Sequence, residues 1–170
     1  REAHEPDLAM GLNNLALLYC NTQRVAESES MHKEALEIRR RLSAANPGIY
    51  EPDLSQTLNN LAILYGETSR LTESEAMYKE ALEIDRRLSI NNPTSFYPNL
   101  ATTLNNLAML YIGTQRFSES ETMQKETLEI RRKLSAANPK VYEPDLTQTL
   151  NNLALLYSAT QRFSESEAMY

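Results

Sequence analysis

The chain has 170 residues, 17 basic against 23 acidic side chains, and a formal net charge of −6. Its 41% hydrophobic and 24% charged residues describe a folded domain, which excludes a disordered acidic tail. An acidic balance without a lysine or arginine cluster argues against nucleic acid, and no apolar run exceeds Leu15–Cys20, far below the roughly 18–20 residues of a membrane helix.

The first expected helix covers 6–20 and contains Leu-Asn-Asn-Leu-Ala from Leu12. The same string returns at Leu58, Leu104 and Leu150, at a step of 46 residues. Glu-Pro-Asp-Leu keeps that register at Glu5, Glu51 and Glu143, with Tyr97-Pro98-Asn99-Leu100 in the third slot. A fixed period of this length signals a solenoid, in which each unit buries its apolar face against its neighbours. The repeats run over about 5–50, 51–96, 97–142 and a truncated 143–170, within a single domain over 1–170.

Within each period the spacing gives two helices. First helices are expected at 6–20, 52–66, 98–112 and 144–158, because Leu54, Leu58, Leu61, Ala62 and Tyr65 recur on one face. Pro52 suits the first helical turn, and Asp53 the positive end of the helix dipole. Second helices are expected at 26–45, 72–91 and 118–137, with a stub from 164. Thr72…Glu75, Ser118…Glu121 and Ser164…Glu167 have capping-box spacing, whereas Ala26 lacks the hydroxyl. The seven prolines all fall near the junctions, so none is expected inside a helix. Because the last second helix is cut short, Leu150, Leu153, Ala154 and Tyr157 are expected to lie exposed. That would favour end-to-end self-association or fraying of the stub.

Leu58-x2-Leu61-Ala62-x2-Tyr65…Ser74-x3-Tyr78-x2-Ala81 resembles the tetratricopeptide repeat, with Leu for the usual Trp and Ala for the usual Gly. Thr-Leu-Asn-Asn-Leu-Ala-x-Leu-Tyr, followed by Tyr-Lys-Glu-Ala-Leu-Glu-Ile, is similar to the longer repeats of kinesin light chain and their bacterial relatives. The resemblance covers essentially the whole chain. It implies an all-α, right-handed superhelical solenoid of antiparallel helix pairs, with first helices lining the concave wall. HEAT and armadillo arrays share the period but not the Leu-Ala…Tyr…Ala spacing. The glycine that usually turns between the helices is replaced by Gln23, Ser69, Gln115 and Gln161, and Gln124 and Thr127 stand where repeat 2 has Tyr78 and Ala81.

Opposite the apolar stripe the helical wheel places Gln56, Asn59, Asn60 and Ile63. Their counterparts are Met10, Asn13, Asn14 and Leu17; Thr102, Asn105, Asn106 and Met109; and Gln148, Asn151, Asn152 and Leu155. No charge occurs within 8–19, 54–65, 100–111 or 146–157. An Asn carboxamide can pair with a peptide group in either sense. Helices about 8–10 Å apart would meet an extended peptide roughly every third residue. The resemblance implies such a ladder at Asn14, Asn60, Asn106 and Asn152, with Asn13, Asn59, Asn105 and Asn151 less favoured. The other reading has one or both asparagines of each repeat bridging adjacent helices or merely facing water. Aliphatics such as Ile63 and Met109 either floor pockets for peptide side chains or pack between repeats.

The partner expected from this face is an extended protein segment that is not strongly acidic, since the inner positions carry no lysine or arginine. Arg24, Arg70, Arg116 and Arg162 fall in the turns, in solvated or helix-capping roles. Two histidines, His4 and His32, one cysteine, Cys20, and four scattered glycines supply no triad, metal set or phosphate loop. His32, aligned with Tyr78, is expected in a core or interhelix role. The reading is a non-enzymatic scaffold with no cofactor, metal, nucleic-acid or membrane partner. The alternative is a spacer, regulatory or oligomerisation array of a larger protein with an empty groove. The start at Arg1 suggests a piece of a longer chain, and a cytoplasmic location is expected.

Overall fold

The structure, a computed structural model, describes residues 4–169. Eight helices follow one another: α1 (Glu5–Asn21), α2 (Val25–Ala45), α3 (Pro47–Glu67), α4 (Leu71–Asn91), α5 (Pro93–Gly113), α6 (Phe117–Ala137), α7 (Pro139–Ala159) and α8 (Phe163–Glu167). No strand occurs among the described residues. The chain divides between Ile84 and Asp85, within α4, into two compact units. In the first, α1 packs on α2 and α2 on α3; in the second, α5 packs on α6, α6 on α7 and α7 on α8. This is the all-α array of paired helices that the period required. The stripe Leu54, Leu58, Leu61, Ala62 and Tyr65 is buried throughout.

Three first helices start about a turn earlier than expected, at Pro47, Pro93 and Pro139. Only Asn46, Asn92 and Asn138 separate them from the preceding helix, and the Asn92 side chain accepts the Ser95 N–H at 3.2 Å. The earlier proline takes the first helical position, where its missing N–H leaves no bond unmade. Pro52, Pro98 and Pro144 consequently lie inside helices, contrary to the expectation that none would. Each withdraws a donor from the carbonyl four residues back, on Gly48, Thr94 or Lys140. Those three residues are exposed, so water can serve the carbonyl.

The capping boxes expected at Ser118 and Ser164 do not form. Second helices begin one residue sooner, and Arg116 and Arg162 stand at the N-cap without a side-chain cap bond. Ser118 and Ser164 lie in the first turn, and Glu121 turns away to Lys125 and Arg162. Arg24 holds the same place before α2, so Ala26 is a first-turn residue and no defect. What joins the paired helices is a Schellman reversal. Gln115 N–H bonds the Ile112 carbonyl at 3.0 Å and Arg116 N–H the Tyr111 carbonyl at 2.8 Å, with Gln115 at φ 60°. Gln23, Ser69 and Gln161 repeat the geometry at φ 60°, 61° and 60°. Left-handed backbone costs an L-residue about 1–2 kcal/mol, which glycine avoids at some cost in unfolded-chain entropy. Gln115→Gly should therefore raise stability by about 0.5–1 kcal/mol, read as a higher urea midpoint at unchanged slope. An unchanged midpoint would refute strain at this turn.

Successive repeats are joined by a buried polar contact. Arg39 donates to the Thr57 hydroxyl and, at 2.7 Å, to the Asp53 carbonyl. Arg131 meets Thr149 at 2.7 Å and the Asp145 carbonyl at 2.8 Å in the same way. At the equivalent place between them, α4 carries Asp85, which accepts from the Thr103 hydroxyl at 2.6 Å.

At the C-terminal end the expected exposure is not found. Leu153, Ala154 and Tyr157 are buried and Leu150 is half-buried. Leu128 of α6 packs with Leu153 and Tyr157, Met169 adds cover, and Ser166 donates to the Ala154 carbonyl at 2.9 Å. The stub covers the face, so the exposure argument for self-association at this end falls. On α1, by contrast, Leu8, Leu15, Leu17 and Leu18 are all exposed.

Candidate peptide-binding face

The face in question is the side of α1, α3, α5 and α7 turned away from the apolar stripe. In the first unit Asn14, Gln56 and Ile63 are exposed, Asn59 and Asn60 are half-buried, and Asn13 is buried. Asn60 Nδ2 donates to Asn13 Oδ1 at 3.1 Å, so the second asparagine of one repeat reaches the first of the repeat before. Asn59 Nδ2 bonds the Ser55 carbonyl at 3.1 Å. In the second unit Asn152 Nδ2 donates to Asn105 Oδ1, again at 3.1 Å, and the buried Gln124 adds a bond to that oxygen at 3.4 Å. Asn106 is half-buried, and Asn151, Thr102 and Met109 are exposed. The Thr102 hydroxyl donates to the Pro98 carbonyl at 2.9 Å.

Of the roles the sequence left open for these asparagines, bridging is realised in the Asn13–Asn60 and Asn105–Asn152 pairs. Bridging does not use up the group. The donating carboxamides, on Asn60 and Asn152, each engage one N–H and keep the oxygen and second N–H for a further partner. Flanked by Ile63 in one unit and Met109 in the other, the face is uncharged and mixes amides with aliphatics.

Charge collects at the turns instead. Arg24, Arg70, Arg116 and Arg162 each lie over the tyrosine that ends the preceding first helix, at 4.2, 4.1, 4.2 and 4.5 Å from the ring centroids of Tyr19, Tyr65, Tyr111 and Tyr157. Arg70 also pairs with Glu29 at 2.7 Å and Arg162 with Glu121 at 2.5 Å, tying one repeat to the last. The hydrogen bond from Arg162, aided by Lys125, holds the Glu121 carboxyl down at about 2. The solvated or capping role expected for these arginines omits this stacking and clamping. Its signal was the constant Tyr-to-Arg spacing across a left-handed turn.

Among the described residues no cluster of His, Cys, Asp and Glu could hold a metal ion, and no helix is long and apolar enough to cross a membrane. His32 is buried with an unpartnered Nδ1. Desolvation and nearby Arg39 push its pKa from 6.5 to about 4, so it is a neutral core ring at physiological pH.

Family models described as tetratricopeptide repeat match residues 7–87, 53–133 and 146–170. A search of curated proteins returns no match. Among solved structures, BtubC (BKLC) from P. vanneervenii is 28% identical with a TM-score of 0.82, over 97% of this chain and 61% of that one. The apo form of RapI is 15% identical with a TM-score of 0.79, over 96% of this chain and 53% of that one. Nearly identical TPR-like repeats from Podosopora anserina are 15% identical with a TM-score of 0.70, over 95% of this chain and 71% of theirs. The chain thus spans about three-fifths of the length of BtubC and about half that of RapI. With the models matching nearly every repeat, the chain belongs to the tetratricopeptide repeat family, a family of protein-interaction scaffolds.

Proposed function

We propose that this chain is a non-enzymatic adaptor domain that holds an extended, not strongly acidic peptide segment of a partner protein across the exposed face of its first helices. The observation that carries the reading is the pairing of uncharged carboxamides with exposed aliphatics on that face. Asn60 and Asn152, held in place by Asn13 and Asn105, offer a fixed donor and acceptor to a peptide backbone. Asn14, Asn106, Asn151, Gln56 and Thr102 add polar contacts, and Ile63 and Met109 add apolar ones. A cytoplasmic site of action belongs to the same proposal.

The test combines a melt with a binding isotherm. A partner captured by the intact array is trimmed to its minimal peptide, and the variant carries Asn60→Ala and Asn152→Ala. Losing two peptide hydrogen bonds should weaken binding by about 1–3 kcal/mol. Stability should also fall by about 1–3 kcal/mol, because the buried Asn13 oxygen loses its donor. A variant that melts earlier yet binds in full when folded would leave the asparagines as bridges alone.

A second reading has one observation in its favour: BtubC and RapI carry the matching repeats inside longer chains. In that reading the array is a spacer or regulatory segment of a larger protein, with end-to-end self-association among its contacts. Concentration-dependent sedimentation of the chain tests it.

A further inference from the structure

A cavity of about 220 Å³ opens in the second unit, beside the C-terminal ends of α5 and α7. Met109 and Ile112 of α5, Phe117 at the start of α6, and Asn152, Leu155 and Ala159 of α7 line it. None of these carries a charge. A dry cavity of about 150 Å³ admits a benzene ring, so this one has room for a single large side chain.

The first unit has a different surface at the same register. Two periods earlier stand Leu17, Cys20, Val25, Asn60, Ile63 and Glu67. There the Cys20 thiol donates to Glu67 Oε2 at 3.6 Å, where the second unit has Ile112 and Ala159. Burial and the Glu67 carboxylate push that thiol's pKa up, as expected beside a negative charge. A repeat array built on one template has thus placed a carboxylate at one site and an uncharged, mostly apolar wall at the other.

We infer that the cavity is the anchor subsite for one leucine-, methionine- or phenylalanine-sized side chain of the partner peptide. The inference rests on the proposed peptide-binding role. The absence of any charged residue from the lining selects the occupant. A charged side chain entering here would shed its water and find no countercharge among the lining residues, whereas an apolar one gains its full transfer free energy. Asn152 sits in the wall with a free carbonyl oxygen, and it can take the N–H of the residue that delivers the side chain. Neighbouring positions of the peptide cross uncharged amide surface and are selected far less strongly.

Selection of peptides from a random display library on the full chain tests this. The expected outcome is an enriched set that shares one Leu, Met or Phe position. Synthetic members of that set should bind about tenfold or more weakly to Ala159→Glu, which copies the Glu67 of the first unit, and to Leu155→Ala. Both positions are exposed, so unchanged melting curves are expected and exclude misfolding. Enriched peptides without a shared apolar position, or binding indifferent to both variants, would overturn the anchor subsite while the peptide-binding role stands. No enrichment at all would overturn that role and the subsite with it.

Discussion

Leu61→Ala should destabilise the chain by about 2–5 kcal/mol, whereas Leu15→Ala, at the same place in the preceding repeat, should cost about 1 kcal/mol. Leu61 is 1% exposed, and Leu15 is 36% exposed. The two residues share motif, helix position and chemistry. They differ in cover, because α2 packs on α3 and no described helix precedes α1. Deleting a side chain from a filled site leaves a cavity that its neighbours close only in part, while a half-open site is refilled by water. Urea midpoints of the two variants should differ accordingly. Equal losses would mean that the face of α1 is covered in solution.

Stability should also fall with pH in a way that one residue controls. Burial holds the folded His32 pKa near 4, below its ordinary 6.5. As pH falls, the unfolded chain takes up the proton first, so the stability due to the neutral ring is complete above 6.5. It is lost progressively between 6.5 and about 4. The span corresponds to about 3 kcal/mol at most. The upper part of this window lies above the carboxylate range, and Glu121 begins to lose its ion pairs only further down. His32→Gln, which copies the buried Gln124 of repeat 3, should flatten the profile between pH 6.5 and 5. A slope that survives the substitution would place the titrating group elsewhere.

The residues that announced the fold were those whose partners lie close in sequence or one period away. Leu54 through Tyr65 mark a buried face by spacing alone, and Gln23, Ser69, Gln115 and Gln161 mark the turns by replacing a glycine. Pro52 was misplaced because two prolines compete to open α3, as in α5 and α7, and the earlier one, Pro47, wins once Asn46 interrupts the helix. Glu121 was misread for a different reason. Its capping-box spacing is genuine, but its partner Arg162 lies in the following repeat and offers a charge that a backbone N–H cannot match. The bridge between Asn60 and Asn13 was legible only as one alternative among three, since a helical wheel describes one helix and this bond joins two. The cover over Leu153 depends on a stub too short to be judged by periodicity.

The threonine at each repeat junction explains how such an array can grow and diverge. A hydroxyl both gives and takes a hydrogen bond, and its hydrogen rotates to suit. Facing Arg131, Thr149 receives the guanidinium N–H and directs its own hydrogen to the Asp145 carbonyl at 3.0 Å. Facing Asp85, Thr103 sends its hydrogen across to the carboxylate. One residue therefore seats a buried cation or a buried anion without any change on its own helix. A tandem duplication inserts a repeat whose leading helix already tolerates either sign, and its trailing helix is free to mutate from one to the other. Evolution of the array can then proceed one substitution at a time, without a simultaneous compensating change in the neighbour.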